Sequence, residues 1–254
     1  MWKGINNQPG SASTIGAWHS TDGGVTWSAP EPLDTPQPDT VFDDKPAAAV
    51  ASSNGIVYVP FTRTTTTTTQ VWVAMLLPTR GWALTGPVGG DANGNWPNLP
   101  GPTPAYDSST GYMWLFMFDR PAQTIRAFFT GDAWIWHDAG SVSAHGIGVG
   151  SVTVGNTSVQ SVPFLSAGFD PIFRFIWLFY HRNGDNGVVN IVSRRFNPFS
   201  WSWTGPEPLN PDGHTQLNPA FSWATSRTSP SRTTTTTPAA DAAAIPATPS
   251  TPRT

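Results

Sequence analysis

The sequence predicts an all-β fold, a β-propeller of about four four-stranded antiparallel blades, on three observations. Proline opens an apolar or small-residue run at Pro46, Pro104, Pro163 and Pro219, at spacings of 58, 59 and 56 residues. After each of the first three come a turn and then strand-length runs of aromatic and β-branched residues. No segment carries the 3.6-residue periodicity of an amphipathic helix. A period near the roughly 40 to 50 residues of propeller repeats points to sheets arranged radially around a centre.

Within a unit the elements follow in order. A proline at the head of the first strand removes a donor that the ladder does not need there. The second strand is the apolar run at residues 55–59, 111–116 and 173–179, which reads as buried on both faces. A third strand follows at 70–75, 123–129 and 187–192, and each unit closes on a tryptophan, Trp27, Trp82, Trp136 or Trp203. Two closings share a register, Trp27-Ser28-Ala29-Pro30-Glu31-Pro32-Leu33 and Trp203-Thr204-Gly205-Pro206-Glu207-Pro208-Leu209. The fourth unit has only its first strand, near residues 218–223, while residues 1–4, 14–19 and Trp27 supply the remainder of a unit. Pairing the last strand of the chain with the first sheet hides exposed edges, so a ring closed by the two chain ends is expected.

Two stretches fall outside the repeat. Residues 138–160 form an insertion with room for an extra hairpin, and from residue 226 onward the chain is Thr, Pro, Ala and Ser with almost nothing to bury. The expected organisation is a propeller domain at 1–225 and a disordered tail at 226–254. The threonine run at 64–69 lies between the second and third strands of its unit and lengthens that hairpin.

Composition bounds the function. The 26 Pro, 24 Gly and 13 Trp suit short strands joined by many turns, with indoles packed between layers. The net charge is -3 and the body without its tail is more acidic still, so nucleic acid is not expected as a partner. There is no cysteine, and His19, His137, His145, His181 and His214 share no ligand spacing, so neither a metal site nor a cofactor is expected. No apolar run is long enough to span a bilayer. Residues 1–7 lack the apolar centre of a signal peptide, which fits a cytoplasmic chain or one whose start lies upstream. Asn156-Thr157-Ser158 matches the glycosylation pattern, and oligomeric state leaves no trace in the sequence.

One turn is distinctive. Ser20-Thr21-Asp22-Gly23-Gly24-Val25-Thr26-Trp27 fits S-x-D-x-G-x-x-W after the strand Ala17-Trp18-His19. The chemistry is that of a tight hairpin: Ser20 and Asp22 accept bonds from turn amides, Gly24 takes positive φ, and Trp27 turns inward to pack. This segment resembles the Asp box, or bacterial neuraminidase repeat, of sialidase-like propellers. The resemblance implies a structural role for Ser20, Asp22, Gly24 and Trp27, on the face opposite the sugar-binding face. Thr130 to Trp136 and Arg195 to Trp201 are eroded versions of it. The resemblance also implies an extracellular protein, and it admits a second reading of the chain as part of a six-bladed ring.

Strand alternation puts the turn from second to third strand on the face opposite the Asp-box-like turn, which the resemblance implies is the sugar-binding face. At the end of successive second strands an aromatic and a basic residue recur: Trp2-Lys3, Phe61-Thr62-Arg63, Phe118-Asp119-Arg120 and Tyr180-His181-Arg182. Lys3, Arg63, Arg120 and Arg182 are therefore candidate ligand-binding cations, with Trp2, Phe61, Phe118 and Tyr180 to stack on the apolar face of a sugar. The competing reading is that they are solvated strand ends that shield edges. Trp72, Trp114 and Trp177 sit mid-strand and read as core. Asp43, Asp44 and Lys45 read as a solvated link between blades rather than as catalytic groups.

The resemblance implies an exo-sialidase where three arginines, a tyrosine nucleophile with its glutamate, and an aspartate acid/base are present. Here there is no F/Y-R-I-P motif, and Glu31 and Glu207 both fall in the repeated P-E-P-L segment, which blade structure explains. No catalytic residue is assigned. The expected function is non-catalytic, lectin-like binding of carbohydrate. The alternatives are a degenerate or truncated sialidase-type glycoside hydrolase and a propeller scaffold for protein contacts.

Overall fold

The structure, a computed structural model, describes residues 2–4, 14–33, 42–44, 46–47, 50–89, 101–119, 122–143, 151–154, 157–160, 165–183 and 189–209. The chain divides into two units, 1–223 and 224–254, of which the second lies outside the described residues. Among the described residues every strand pairing is antiparallel. Blade A comprises β1 (Trp2–Gly4), β2 (Thr14–Ala17) and β3 (Glu31–Pro32), in that order. Blade B comprises β4 (Phe42–Asp44) and β5 (Val50–Ala51), both on β6 (Val57–Thr64), then β7 (Thr69–Leu77) and β8 (Gly81–Thr85). Blade C runs β9 (Thr103–Asp107), β10 (Tyr112–Asp119), β11 (Thr124–Thr130) and β12 (His137–Ser143). After the separate hairpin of β13 (Ser151–Val154) and β14 (Thr157–Gln160), blade D runs β15 (Leu165–Asp170), β16 (Phe175–Asn183), β17 (Val189–Asn197) and β18 (Ser202–Pro208). The fold is a β-propeller.

Strand alternation assigns each side chain to one of two neighbouring blades. On β10, Met113, Leu115 and Met117 pack into a core shared with Tyr58, Val71, Val73 and Met75 of blade B. Their sequence neighbours Trp114, Phe116 and Phe118 pack with Ile176, Leu178, Tyr180 and Phe196 of blade D. A third core joins Ile15 and Leu33 of blade A to Val59, Phe61 and Ala74 of blade B. A side-chain period of two therefore gives β10 an unbroken apolar sequence, because both faces are covered.

The structure corrects several expectations. Residues 138–143 are not insertion but the body of β12, whose Ser/Gly-rich sequence lacks strand alternation and which bulges opposite Arg126 and Phe128. Among the described residues the hairpin β13–β14 is what remains of the expected insertion. Pro46 does not open a strand: it stands between β4 and β5, where the Ala47 amide donates to the Pro60 carbonyl at 2.8 Å. Trp27 does not turn inward, being 62% exposed, with its indole N–H donating to the Gly24 carbonyl at 3.2 Å. The shared register of the two P-E-P-L segments is real: Glu31 pairs with Ala17 and Pro32 with Gly16, as Glu207 does with Ser193 and Pro208 with Val192. The expected closing strand at 218–223 and the proline at 163 lie outside the described residues.

The turns on one end of the blades rest on side-chain acceptors. Ser20 Oγ accepts the Gly24 amide at 2.7 Å, and both Asp22 carboxylate oxygens accept the Thr26 amide, at 2.9 and 3.0 Å. Gly24 has φ +93°, a conformation closed to most side chains. Asp132 accepts from Trp134 and Ile135, and Asn197 from Phe199 and Ser200, at the corresponding turns of blades C and D. Buried Asp107 and Asp170 do the same between first and second strands. The Thr26 hydroxyl, then the Thr26 amide and the Ser20 hydroxyl, hold the Asp22 carboxyl well below the ordinary carboxylate range. Its contribution is therefore present above that range and lost as pH falls through the depressed folded value. Asp22→Ala is expected to speed amide hydrogen exchange at Thr26 several-fold while leaving the β6 amides unchanged, as NMR would show.

Candidate functional site

The turns from second to third strands and the residues leading into them form the end of the propeller where a ligand site was expected. In blade B the hairpin is tight: the Thr65 amide donates to Thr68 O at 2.8 Å and the Thr68 amide to Thr65 Oγ1 at 3.0 Å. Next to it, β4 brings Asp43 directly opposite Arg63. Arg63 Nε donates to Asp43 Oδ1 at 2.7 Å and Nη2 to Oδ2 at 2.9 Å, a bidentate pair in which the two residues are 7% and 1% exposed. The guanidinium carbon also lies 4.9 Å from the Trp72 ring centre and 5.5 Å from that of Phe61. On Trp72, Gly86 approaches so closely that a Cβ there would stand 3.0 Å from the ring. The Trp72 indole N–H donates to Gln70 Oε1 at 3.2 Å. Asp43, Arg63, Trp72 and Gly86 thus form one packed stack.

The expected rim is placed as follows. Phe61, Phe118 and Tyr180 are 1%, 0% and 1% exposed, so their rings lie within the inter-blade cores and not open at a rim. They do not even share an orientation: Phe61 and Tyr180 face the preceding blade, and Phe118 faces the following one. The aromatic-basic pattern in blade C is one residue out of phase with the others, and one residue reverses the face. Arg63 is an ion-paired core residue rather than a solvated one. Arg182 is half-buried on β16, opposite Asn190, and has no ion pair with any described residue. Arg120 lies outside the described residues, and Trp2 and Lys3 are placed only by backbone, opposite Gly16 and Ile15. Asp43 is not in a solvated link between blades but on β4 inside blade B.

Every carboxylate whose side chain is described is engaged. Asp22, Asp107, Asp132 and Asp170 accept from turn amides, Asp119 accepts from the Ala122 amide at 3.2 Å, and Asp138 bonds Arg126. Glu31 accepts from the Trp82 indole of blade B at 3.2 Å, and Glu207 from Arg195 at 2.8 Å. The Ile135 and Trp134 amides lower Asp132, while burial, then the nearby charges of Tyr106 and Asp132, push Tyr58 up to about 12. Among the described residues no group of three or more His, Cys, Asp or Glu is placed to hold a metal ion. No helix there is long and apolar enough to cross a membrane.

Sequence reasoning gave Arg63 a ligand-binding role and missed its pairing with Asp43, and it missed Arg194 altogether. Arg63 needed the strand register to meet Asp43. Arg194, 9% exposed on β17, donates from Nε to Tyr180 Oη at 3.0 Å, from Nη1 to the Gly205 carbonyl at 3.1 Å and from Nη2 to the Ser143 carbonyl at 2.7 Å. The available signal was the dipeptide Arg194-Arg195 inside an apolar strand, where alternation forces one cation inward.

No family model and no curated protein matches the chain. Solved structures do resemble it. A Hadza microbial sialidase, Hz136, superposes with a TM-score of 0.51 at 15% identity, over 75% of this chain and 36% of the other. A fructofuranosidase from Schwanniomyces occidentalis gives 0.48 at 15%, over 81% and 40%, and a glycosyl hydrolase from Bacteroides ovatus 0.46 at 14%, over 78% and 62%. The chain spans well under two thirds of the sialidase, and at this identity the likeness is one of fold.

Proposed function

We propose that this propeller binds carbohydrate without cleaving it, through the end of the blades that carries the turns between second and third strands. The observation that carries the reading is the contrast between two cations at that end. Arg63 is fixed by Asp43 and serves the fold, whereas Arg182, half-buried and without an ion pair to a described residue, keeps its donors for hydroxyl or carboxylate oxygens of a glycan. Binding is preferred to hydrolysis because the carboxylates among the described residues are each engaged, whereas glycoside hydrolysis asks for two acidic groups facing one bond. The sugar-active neighbours support a saccharide as ligand by fold analogy alone.

The test is a glycan array followed by calorimetric titration of the best ligand. Arg182→Ala is expected to weaken binding roughly tenfold while changing stability by no more than about 0.5 kcal/mol. Retention of no glycan, or full affinity in Arg182→Ala, overturns the reading. Release of product from a fluorogenic sialoside would support the hydrolase instead.

A further inference from the structure

Arg194 departs from the repeat. The third-strand position that faces the preceding blade is Ala74 in blade B, opposite Val59, and Phe128 in blade C, opposite Leu115. Both are buried and apolar, at 0% and 3% exposure. In blade D the same position, opposite Leu178, holds Arg194. Blade construction therefore does not call for a charge there.

The charge is also unbalanced. Arg194 bonds a phenol and two carbonyls but no carboxylate of any described residue, although a buried guanidinium without a counter-ion is costly. Its three bonds leave a second N–H on each terminal nitrogen. Tyr180 Oη accepts from Nε and keeps its own hydrogen to donate. Ser143, whose carbonyl Arg194 grips, has a buried Oγ with no hydrogen-bond partner. A buried orphan hydroxyl calls for an explanation. Gly205 completes the cradle: at φ +90° it offers its carbonyl to Arg194, and a Cβ would stand 2.9 Å from the Ser193 carbonyl. The strand pairing slips at this point, between Ser193 and Arg195, and such bulges re-aim a side chain.

We propose that Arg194, Ser143 and Tyr180 form a binding site for a small oxyanion at the junction of blades C and D. Each spare group can donate a hydrogen bond, and each belongs to Arg194 or to a residue bonded to its guanidinium, a chemistry that disfavours cations and favours a tetrahedral or carboxylate oxyanion. Arg182, two residues beyond Tyr180 on β16, is not a member of this site, so the Arg182→Ala and Ser143→Ala tests fail independently. The anion is either free sulfate or phosphate or the acidic substituent of a sugar.

Thermal unfolding of the full chain in sodium sulfate against sodium chloride at matched ionic strength tests this, with glucuronate as a parallel arm. A saturable rise in melting temperature is expected with at least one of sulfate and glucuronate, the lower midpoint naming the source. The general salting effect of sulfate does not saturate and provides the baseline. Ser143→Ala, which keeps the fold, is expected to raise the midpoint roughly tenfold, and Arg194→Met to abolish saturation. Overturning results are an unsaturable rise with both anions, or the same midpoint in Ser143→Ala as in the parent chain.

Discussion

Arg63→Met is expected to cost about 3–5 kcal/mol of folding stability, because it takes the bidentate guanidinium away from the Asp43 carboxylate, which is 1% exposed. The loss is large against the roughly 5–15 kcal/mol that holds a domain together. Urea titration reads it as a fall in midpoint at unchanged slope. The double variant Asp43→Leu with Arg63→Met is expected to recover most of the loss, since a buried pair replaced whole by apolar groups leaves no orphan charge. An Arg63→Met chain as stable as the parent would show that the pair is solvated. Because the variant fails as a structure, it cannot report on ligand binding, which is why Arg182 is the position that tests the rim.

Trp114→Ala is the second large expected effect, about 3–5 kcal/mol. The ring is 0% exposed and sits 4.8 Å from Phe196 and 5.1 Å from Phe129, with Phe116 stacked at 6.4 Å. Its removal leaves a cavity between two blades that neither can fill alone. Trp114→Phe is expected to cost far less. The indole N–H is buried without an acceptor, and deleting it relieves a desolvation cost that partly offsets the lost volume. Calorimetric melting of both variants decides the point, and equal losses would mean that the N–H has a partner.

The second and third strands were legible because burial on both faces writes a continuous apolar run, as in Tyr112 to Phe118 and Val71 to Leu77. The closing strand β12 was not, since His137-Asp138-Ala139-Gly140-Ser141-Val142-Ser143 carries only two inward apolar groups and a bulge that breaks its phase. Turn chemistry read well at Asp22, whose bonds are local, and less well at Trp27, whose packing is not. The rim read worst. An aromatic followed by a basic residue looks alike at Phe61, Phe118 and Tyr180, but which blade each faces depends on a phase that only register reveals. For the same reason Asp43 and Arg63, twenty residues apart, gave no hint of one another.

The three inter-blade cores carry one more implication. Each brings the forward side of one sheet against the rear side of the next, and these sides are chemically unlike, methionine and leucine on one flank of β10 and large rings on the other. Contacts of that kind are head-to-tail, and head-to-tail repetition imposes a constant rotation at every step. How many sheets complete a circle is then a property of the step angle set by side-chain volumes at the seams, and altering those volumes is the route to a ring of different size.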